Sequence, residues 1–481
     1  MTTAPAKLLP SQWRWHPADM ILLLQVVGLG LVLGAAWQGG PQHHPDTASY
    51  LDYLAHGWPD ILTLPRTPAY PLWLWLHQTL TGTLAWVPLW QLGLHVAAVV
   101  WVRRGLGVFG FSPWSALLVA SALLHANLLR YFGSALLTDA PSLSLGLAAA
   151  GSLLHATARP RQRGHWVLLA LLLALAVLTR PAQLFMVPLV LILGTALLAL
   201  HHERLRFPWS SLLPLLLAAL LPLLAWSALR GVVVGHFGLV SFGGANIIGI
   251  TAALLDDDVV QRLPAHLRPL ALAITEERTR RGLASPFSDL GWIRYGPWVD
   301  QYNPNVHDIA WPAARRLTGG DMVASNNLMG ELSLAIIRTR PVQYLRWLMT
   351  ASVDGVLTLV QRDPVLQLSA MAMLAALAAG AWRGARPDRR WCVPTRERWA
   401  QARLEVGVLL PLALLHFAGG TALVVLVEPP LERYLFATSV WIPGLLLLLA
   451  RHGALLLAVT PGEETTATCV AASAPNAAPH C

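Results

Sequence analysis

Charge is scarce in this chain. Asp, Glu, Lys and Arg make up 12% of its 481 residues, against roughly 25% in a soluble globular domain. A single water-soluble globule is thereby excluded. Cysteine is scarcer still: Cys392, Cys469 and Cys481 are all there is, with no C-x-x-C pair. That leaves nothing on which to build a thiolate metal site or a disulfide framework. The closing Ala-Pro-His-Cys is not a prenylation box. No internal repeat is visible, and the apolar runs are almost free of charge. Both absences count against a transporter, whose halves usually repeat and whose site sits at mid-membrane.

What is abundant is apolar sequence, at 55% of the chain. Many runs approach the roughly 20 residues that cross a bilayer as a helix. The fold class expected is an all-α polytopic membrane protein with about ten transmembrane helices. The formal charge of +9 then records topology rather than a nucleic-acid surface, and no nucleic-acid partner is expected. The run from Met20 to Trp37 resembles a signal peptide in composition, but no A-x-A site follows it. It reads as a first span that stays.

Four regions follow from the pattern. Residues 1–232 form an N-terminal transmembrane module whose first outer loop is 38–83. Residues 233–363 are a water-facing region with near-balanced charge, 13 Lys+Arg against 12 Asp+Glu over residues 230–363. Its last part, Asn326 to Val360, is amphipathic and interrupted by Pro341, as expected of helices lying on the membrane surface. Residues 364–456 return to transmembrane helices, and 457–481 form a polar tail expected to be disordered in the cytoplasm. With the N-terminus inside and ten spans, 17 Lys+Arg face the cytoplasm and four, Arg66, Arg130, Arg180 and Arg433, occupy short outer loops. That is the positive-inside asymmetry.

The stretch from His43 to Leu74 is unlike the rest. It sets Asp46, Asp52, Asp60, Arg66 and two adjacent histidines between apolar spans, where polar groups are costly unless they meet water, a partner or a substrate. If DTASYLDYLAHG is helical, Asp46, Tyr50 and Tyr53 share a face. Asp46 there reads either as an N-cap or as a base taking a proton from an attacking hydroxyl. Asp139, in LLTDAPSLSL before Pro141, is likewise a helix cap or a second acid at the same depth. The outer arginines read singly as lipid anchors or acid partners; as a set they suit one phosphate-bearing ligand. A divalent metal on His43, His44 and Asp46, joined by His307 and Asp308, is the less favoured reading, since no H-x₃-H spacing exists. No cofactor is expected. Asp256, Asp257 and Asp258 read as a solvated face. SFGGAN, 241–246, lacks the context of a nucleotide loop and reads as a surface turn.

These motifs resemble the GT-C glycosyltransferases, in the branch of dolichyl-phosphate-mannose-protein mannosyltransferases and bacterial aminoarabinose transferases of lipid A. PDTASYLDYLAHG resembles the branch's acidic first outer loop, and RTPAYPLWLWL its R-P-P-x-Y-P-L segment. LLTDAPSLSL resembles its second acidic motif, LTRPAQLFMVPLVL its T-R-P segment, and LERYLFATSVWIP its closing E-x-R-Y-L segment. The likeness covers parts of 40–200 and 425–450. It implies a GT-C-like bundle that moves a sugar from a polyprenyl-phosphate donor to a lipid or glycan acceptor, with inversion. Asp46 and Asp139 match the catalytic acids. Arg433 matches the arginine near the donor phosphate, with Arg66 and Arg180 beside it. Tyr50, Tyr70, Glu432 and His307 are expected at the substrate. The setting implied is a bacterial inner membrane, with the site on the periplasmic or extracytoplasmic face. The central segment matches nothing in the branch, and no large soluble domain follows the last span. The alternatives are a transporter or lipid flippase without covalent chemistry, and a non-catalytic scaffold that keeps the fold.

Overall fold

A computed structural model describes residues 16–36, 40–201, 209–283, 295–384 and 396–457. Lys7, Arg14, the HERLR run after His201, the turn residues Ser285, Pro286 and Gly291, most of the basic loop after Arg383, all three cysteines and the tail from 458 lie outside them.

The described residues form α-helices with short 3₁₀ and π turns and no strand; one isolated bridge joins Gln42 to Ala135. In order the helices are α1 Pro17–Ala36, α2 Thr47–Leu51, α3 Ala69–Thr81, α4 Val87–Val108, α5 Pro113–Leu124, α6 Asn127–Phe132, α7 Asp139–Ala158, α8 Arg163–Thr179, α9 Met186–His201 and α10 Trp209–Val234. The long segment gives α11 Gly243–Thr251, α12 Asp257–Arg262, α13 Arg268–Arg280, α14 Tyr295–Asn303, α15 Trp311–Leu317, α16 Met322–Thr339 and α17 Pro341–Arg362. The chain then returns through α18 Pro364–Gly384, α19 Arg396–Val427, α20 Glu432–Thr438 and α21 Ile442–Leu457.

Among the described residues six helices are long and apolar enough to cross a membrane, or seven if the bent pair of α20 and α21 is one span. That fits a multi-pass membrane protein. Each of the other expected spans falls on a helix. α8 is short, at 17 residues. α4 carries Gln91, His95, Arg103 and Arg104, and α7 carries Asp139, Ser142, Ser144, Ser152 and His155, which lower their apolarity. α7 is buried along nearly its whole length, so its neighbours are protein and it needs no lipid-compatible surface. The outer helices differ: Leu24, Leu31 and Val32 on α1, Leu221 and Leu224 on α10, and Leu368 and Met371 on α18 are exposed.

In lipid, burying apolar surface gives helices little reason to associate, so close packing and polar knots must hold them. Both are present. A Cβ on Gly151 of α7 would lie 2.8 Å from Cδ1 of Trp101 and 3.1 Å from the Val102 nitrogen; glycine lets α7 and α4 approach that closely. His95 of α4 bonds the Leu123 carbonyl at 3.0 Å and the Ser144 hydroxyl at 3.1 Å, tying α4 to α5 and α7. Glu405 of α19 accepts from the Ser112 N–H at 2.7 Å, before α5, and bonds His452 of α21 at 2.8 Å.

The described part of 233–363 has its own core, built on Ile248, Leu270, Ile274, Trp298, Met329 and Trp347. The expected interruption stands at Arg340–Pro341, between α16 and α17. α17 turns Tyr344, Trp347, Ala351, Gly355 and Leu359 inward. Val342, Leu345, Met349, Val353, Val356 and Val360 form an exposed apolar stripe beside them. Its far end packs by Gly355 against Pro430 and Leu435, which seats the long segment against the C-terminal helices.

Candidate functional site

Two loops that are distant in sequence lie side by side. The Gln42 N–H donates to the Ser134 carbonyl and the Leu136 N–H to the Gln42 carbonyl, both at 2.9 Å. Thr47 Oγ1 donates to the Leu136 carbonyl at 3.1 Å, and Gln91 of α4 holds the Ala135 carbonyl at 3.1 Å. Beneath them Tyr50, Tyr70, Leu74, Val87 and residues 135–137 form a small core. This lacing sets Asp46, before α2, beside Asp139, the first residue of α7.

Neither acid caps its helix with its side chain. Both are instead held by arginines from three other segments. Asp46 Oδ1 meets Arg66 Nη2 at 2.7 Å, and Asp46 Oδ2 meets Arg433 Nη2 at 3.0 Å. Asp139 Oδ1 lies 2.8 Å from Arg180 Nη1 and 3.5 Å from Arg433 Nε. Arg433 thus bridges the two carboxylates. The pairs around Asp139 have ion-pair distances, but neither of its oxygens receives a well-directed hydrogen bond among the described residues, although the side chain is only 1% exposed. Such a buried acceptor still has lone pairs to offer an O–H or N–H donor.

Aromatic rings fix the guanidiniums. Arg66 lies 4.8 Å over the Tyr50 ring and donates Nε to Ser49 Oγ at 2.8 Å. Arg180 and Arg433 lie 4.8 Å and 5.0 Å from the Tyr434 ring, and Arg180 also donates to Thr138 Oγ1 at 3.3 Å. Cation–π contacts of this kind hold a guanidinium plane without using up its N–H donors.

Asp46 and Asp139 with Arg66, Arg180 and Arg433 sum to one formal positive charge, which Glu428 beside them offsets when ionised. Burial alone would raise the Asp46 carboxyl, but Arg66 and Arg433, by charge and hydrogen bond, outweigh it and hold it below its ordinary value. Glu428, at the end of α19, goes the other way. Burial pushes it up, against Arg180, a hydrogen bond from Tyr434, and Arg433.

The structure thus gathers Asp46, Asp139, Arg66, Arg180 and Arg433, with Tyr50 at their edge; its hydroxyl lies 3.5 Å from Thr138 Oγ1. Tyr70 sits one layer below, edge-on to Tyr50 at 5.2 Å. Its phenol is pushed well up by burial, with Tyr50 and Asp139 adding to the shift. The remaining candidates have partners of their own. Glu432, the first residue of α20 after the Pro429–Pro430 break, pairs with Arg362 at 3.4 Å. His307 stacks on Phe242 in the long segment, and Asp308 pairs with Arg281. Tyr53 leaves the shared face, because α2 stops after Leu51; its phenol, raised to about 12 by burial, lies near Arg230 instead. Arg130 turns to its neighbour Tyr131.

Among the described residues no group of three His, Cys, Asp or Glu is placed to hold a metal ion, and His44 packs against Phe132. The sequence reading passed over Ser49, Thr138, Glu428 and Tyr434. The last two stand inside the EPPLERY motif and were within reach there. Comparison of the chain with family models, with curated proteins and with solved structures finds no match.

Proposed function

We propose that the protein is a membrane glycosyltransferase of the GT-C type. It moves a sugar from a polyprenyl-phosphate donor to an acceptor hydroxyl with inversion. The observation that carries this reading is the meeting of Asp46 and Asp139 with Arg66, Arg180 and Arg433, drawn from five places in the chain. Forked donors that converge on one spot suit a phosphate. A carboxylate beside them suits the proton that an attacking hydroxyl must lose.

In this account the donor phosphate takes over Arg66 and Arg433 from Asp46. Losing those partners makes Asp46 more basic. The acceptor hydroxyl attacks the anomeric carbon and gives its proton to Asp46. The bond between the anomeric carbon and the phosphate oxygen breaks on the opposite face, and polyprenyl phosphate leaves with the electron pair. Its charge is met by guanidiniums already in place, which is electrostatic stabilisation without reorganisation. Asp139, buried and with lone pairs to spare, holds Arg180 and Arg433 in register and accepts a hydrogen bond from the sugar.

The bundle in this reading has about ten spans, counting the inward-facing α4 and α7 and the short α8. The cluster faces the periplasmic or extracytoplasmic side of a bacterial inner membrane, and α17 lies along the outer leaflet where the lipid donor arrives. Mass spectrometry of envelope glycans and glycolipids tests this. Cells carrying the wild-type chain should hold one sugar modification that cells carrying Asp46→Asn lack. Identical glycan and glycolipid profiles in the two would refute the reading. Uptake of a lipid-linked sugar with no covalent product would favour a flippase.

A further inference from the structure

The end of α7 away from the acids carries a second basic group. α7 begins at Asp139 and runs for 20 residues, about 30 Å at the helical rise. Arg159, Arg161 and Arg163 follow its far end, so they stand at the membrane face opposite the Asp46 cluster. All three residues are exposed, and no acid pairs with any of them among the described residues. The turn that carries them is pinned. The Gln162 N–H donates to the Arg159 carbonyl at 3.0 Å, and the buried Trp166 donates its indole N–H to the Pro160 carbonyl at 3.0 Å. Gln162, just before α8, gives that helix no side-chain cap, so the positive end of the α8 dipole also lies at this turn.

The arginines stand at the mouth of a cleft of about 1070 Å³ between α8 and α10. Beyond them Val167 and Ala170 of α8 face Leu217 and Leu221 of α10 across the cleft. Val167, Leu217 and Leu221 are exposed, so no described residue packs over these apolar walls. No acid lines the cleft among the described residues. α10 lines it from Ser211 to Pro222, about 17 Å at the helical rise. That is about half of the roughly 30 Å hydrocarbon core. A basic mouth over an apolar cleft one leaflet deep has the polarity and the length of a phospholipid, and basic pockets between transmembrane helices suit anionic headgroups. The positive-inside bias accounts for arginines at this face. It does not account for three of them without acid partners over an acid-free cleft.

We propose that the cleft between α8 and α10 binds one anionic phospholipid. Its phosphate meets Arg159, Arg161 and Arg163, whose forked donors match phosphate oxygens. An acyl chain lies along Val167, Leu217 and Leu221. The occupant is a lipid and not a soluble phosphate, because most of the lining residues are apolar. The cleft shares no residue with the Asp46 cluster, and the proposal stands whether or not that cluster transfers a sugar.

The test is native mass spectrometry of the full chain in a neutral detergent, with dioleoylphosphatidylglycerol and dioleoylphosphatidylcholine offered together. Wild type should retain phosphatidylglycerol in preference to phosphatidylcholine. The double variant Arg161→Gln with Arg163→Gln should lose one bound equivalent of phosphatidylglycerol. Val167→Trp, which fills the cleft and leaves the charges in place, should lose the same equivalent. Arg403→Gln, which removes an exposed charge near the start of α19, should retain it. The substituted positions are exposed, and melting curves check that each variant is folded. Equal retention of the two lipids overturns the proposal, and so does a count that the folded variants leave at the wild-type value. Loss in the arginine variant but not in Val167→Trp would mean attraction of headgroups without the cleft, and overturns it as well. An equal loss in Arg403→Gln would mean general basic charge, with the same consequence.

Discussion

Asp46 gives each of its oxygens to a different arginine, and that fixes how it responds to acid. Its carboxyl is held below the ordinary value by Arg66 and Arg433 against the pull of burial. A depressed carboxyl contributes stability that is fully present above its unfolded value and is lost as pH falls through the folded one. Melting curves of wild type and Asp46→Asn should therefore keep a constant gap at neutral pH and converge only below about pH 4. Glu428 has the opposite sign, because burial raises it. Below its ordinary value both states hold the proton. As pH rises from about 4.5 through the raised value, ionisation costs the folded state stability. Glu428→Gln should then gain in Tm relative to wild type over that window and hold the gain above it; a gap independent of pH contradicts this. Asp46 and Arg433 were legible from sequence because an acid or a lone arginine in a short outer loop is expensive and conspicuous. Glu428 was not, because EPPLERY offers two glutamates and only the proline break decides which one turns inward. Tyr53 was misplaced for a similar reason: periodicity assumes a continuous helix, and α2 is five residues long.

Helices meet where side chains are missing. A Cβ on Gly244 of α11 would lie 2.0 Å from the Asn326 carbonyl oxygen and 2.7 Å from the Gly330 nitrogen, both backbone atoms of α16. Backbone cannot swing aside as a side-chain tip can. Gly244→Ala should cost about 1–3 kcal/mol or more, as overpacking does. Gly93→Ala in α4, where nothing lies within 4 Å of the added atom, should leave Tm unchanged or raise it slightly. Thermal melting in detergent distinguishes the two; equal shifts contradict the close crossing. The helices and the Pro341 break were readable, because apolar runs and proline are local signals. The Gly244 crossing, the π turn Pro304–Ala310 and the private core of the long segment were not. They depend on which helix lies opposite, and no window of sequence carries that.

For the molecule as a whole, the positive-inside count argues for the proposed orientation. In that orientation Cys392, Cys469 and Cys481 are expected on the cytoplasmic side and the loop of 38–83 on the other. A membrane-impermeant maleimide should leave the wild-type chain unlabelled in intact cells and label it once they are opened. Asp60→Cys, at an exposed position of the first outer loop, should label without opening. Labelling of native cysteines in intact cells would invert the orientation and place the cluster inside. The overall class was legible because a charge-poor, apolar chain has few soluble solutions. The number of spans was less so, since the helices nearest the centre are shielded from lipid and need not be apolar.

The central claim is that the arginine-bridged pair Asp46 and Asp139 transfers a sugar from a lipid phosphate. The most direct measurement is transfer of radiolabel in vesicles holding the purified chain, a polyprenyl-phosphate sugar and an extract of envelope glycolipids as acceptor. Wild type should move label to a covalent product whose anomeric configuration is inverted. Asp46→Asn should lower the rate by about 10²–10⁴, the range for loss of a general base, with its fold intact by melting above pH 5. Full transfer by Asp46→Asn, or label carried across the bilayer with no product from either chain, would contradict the account.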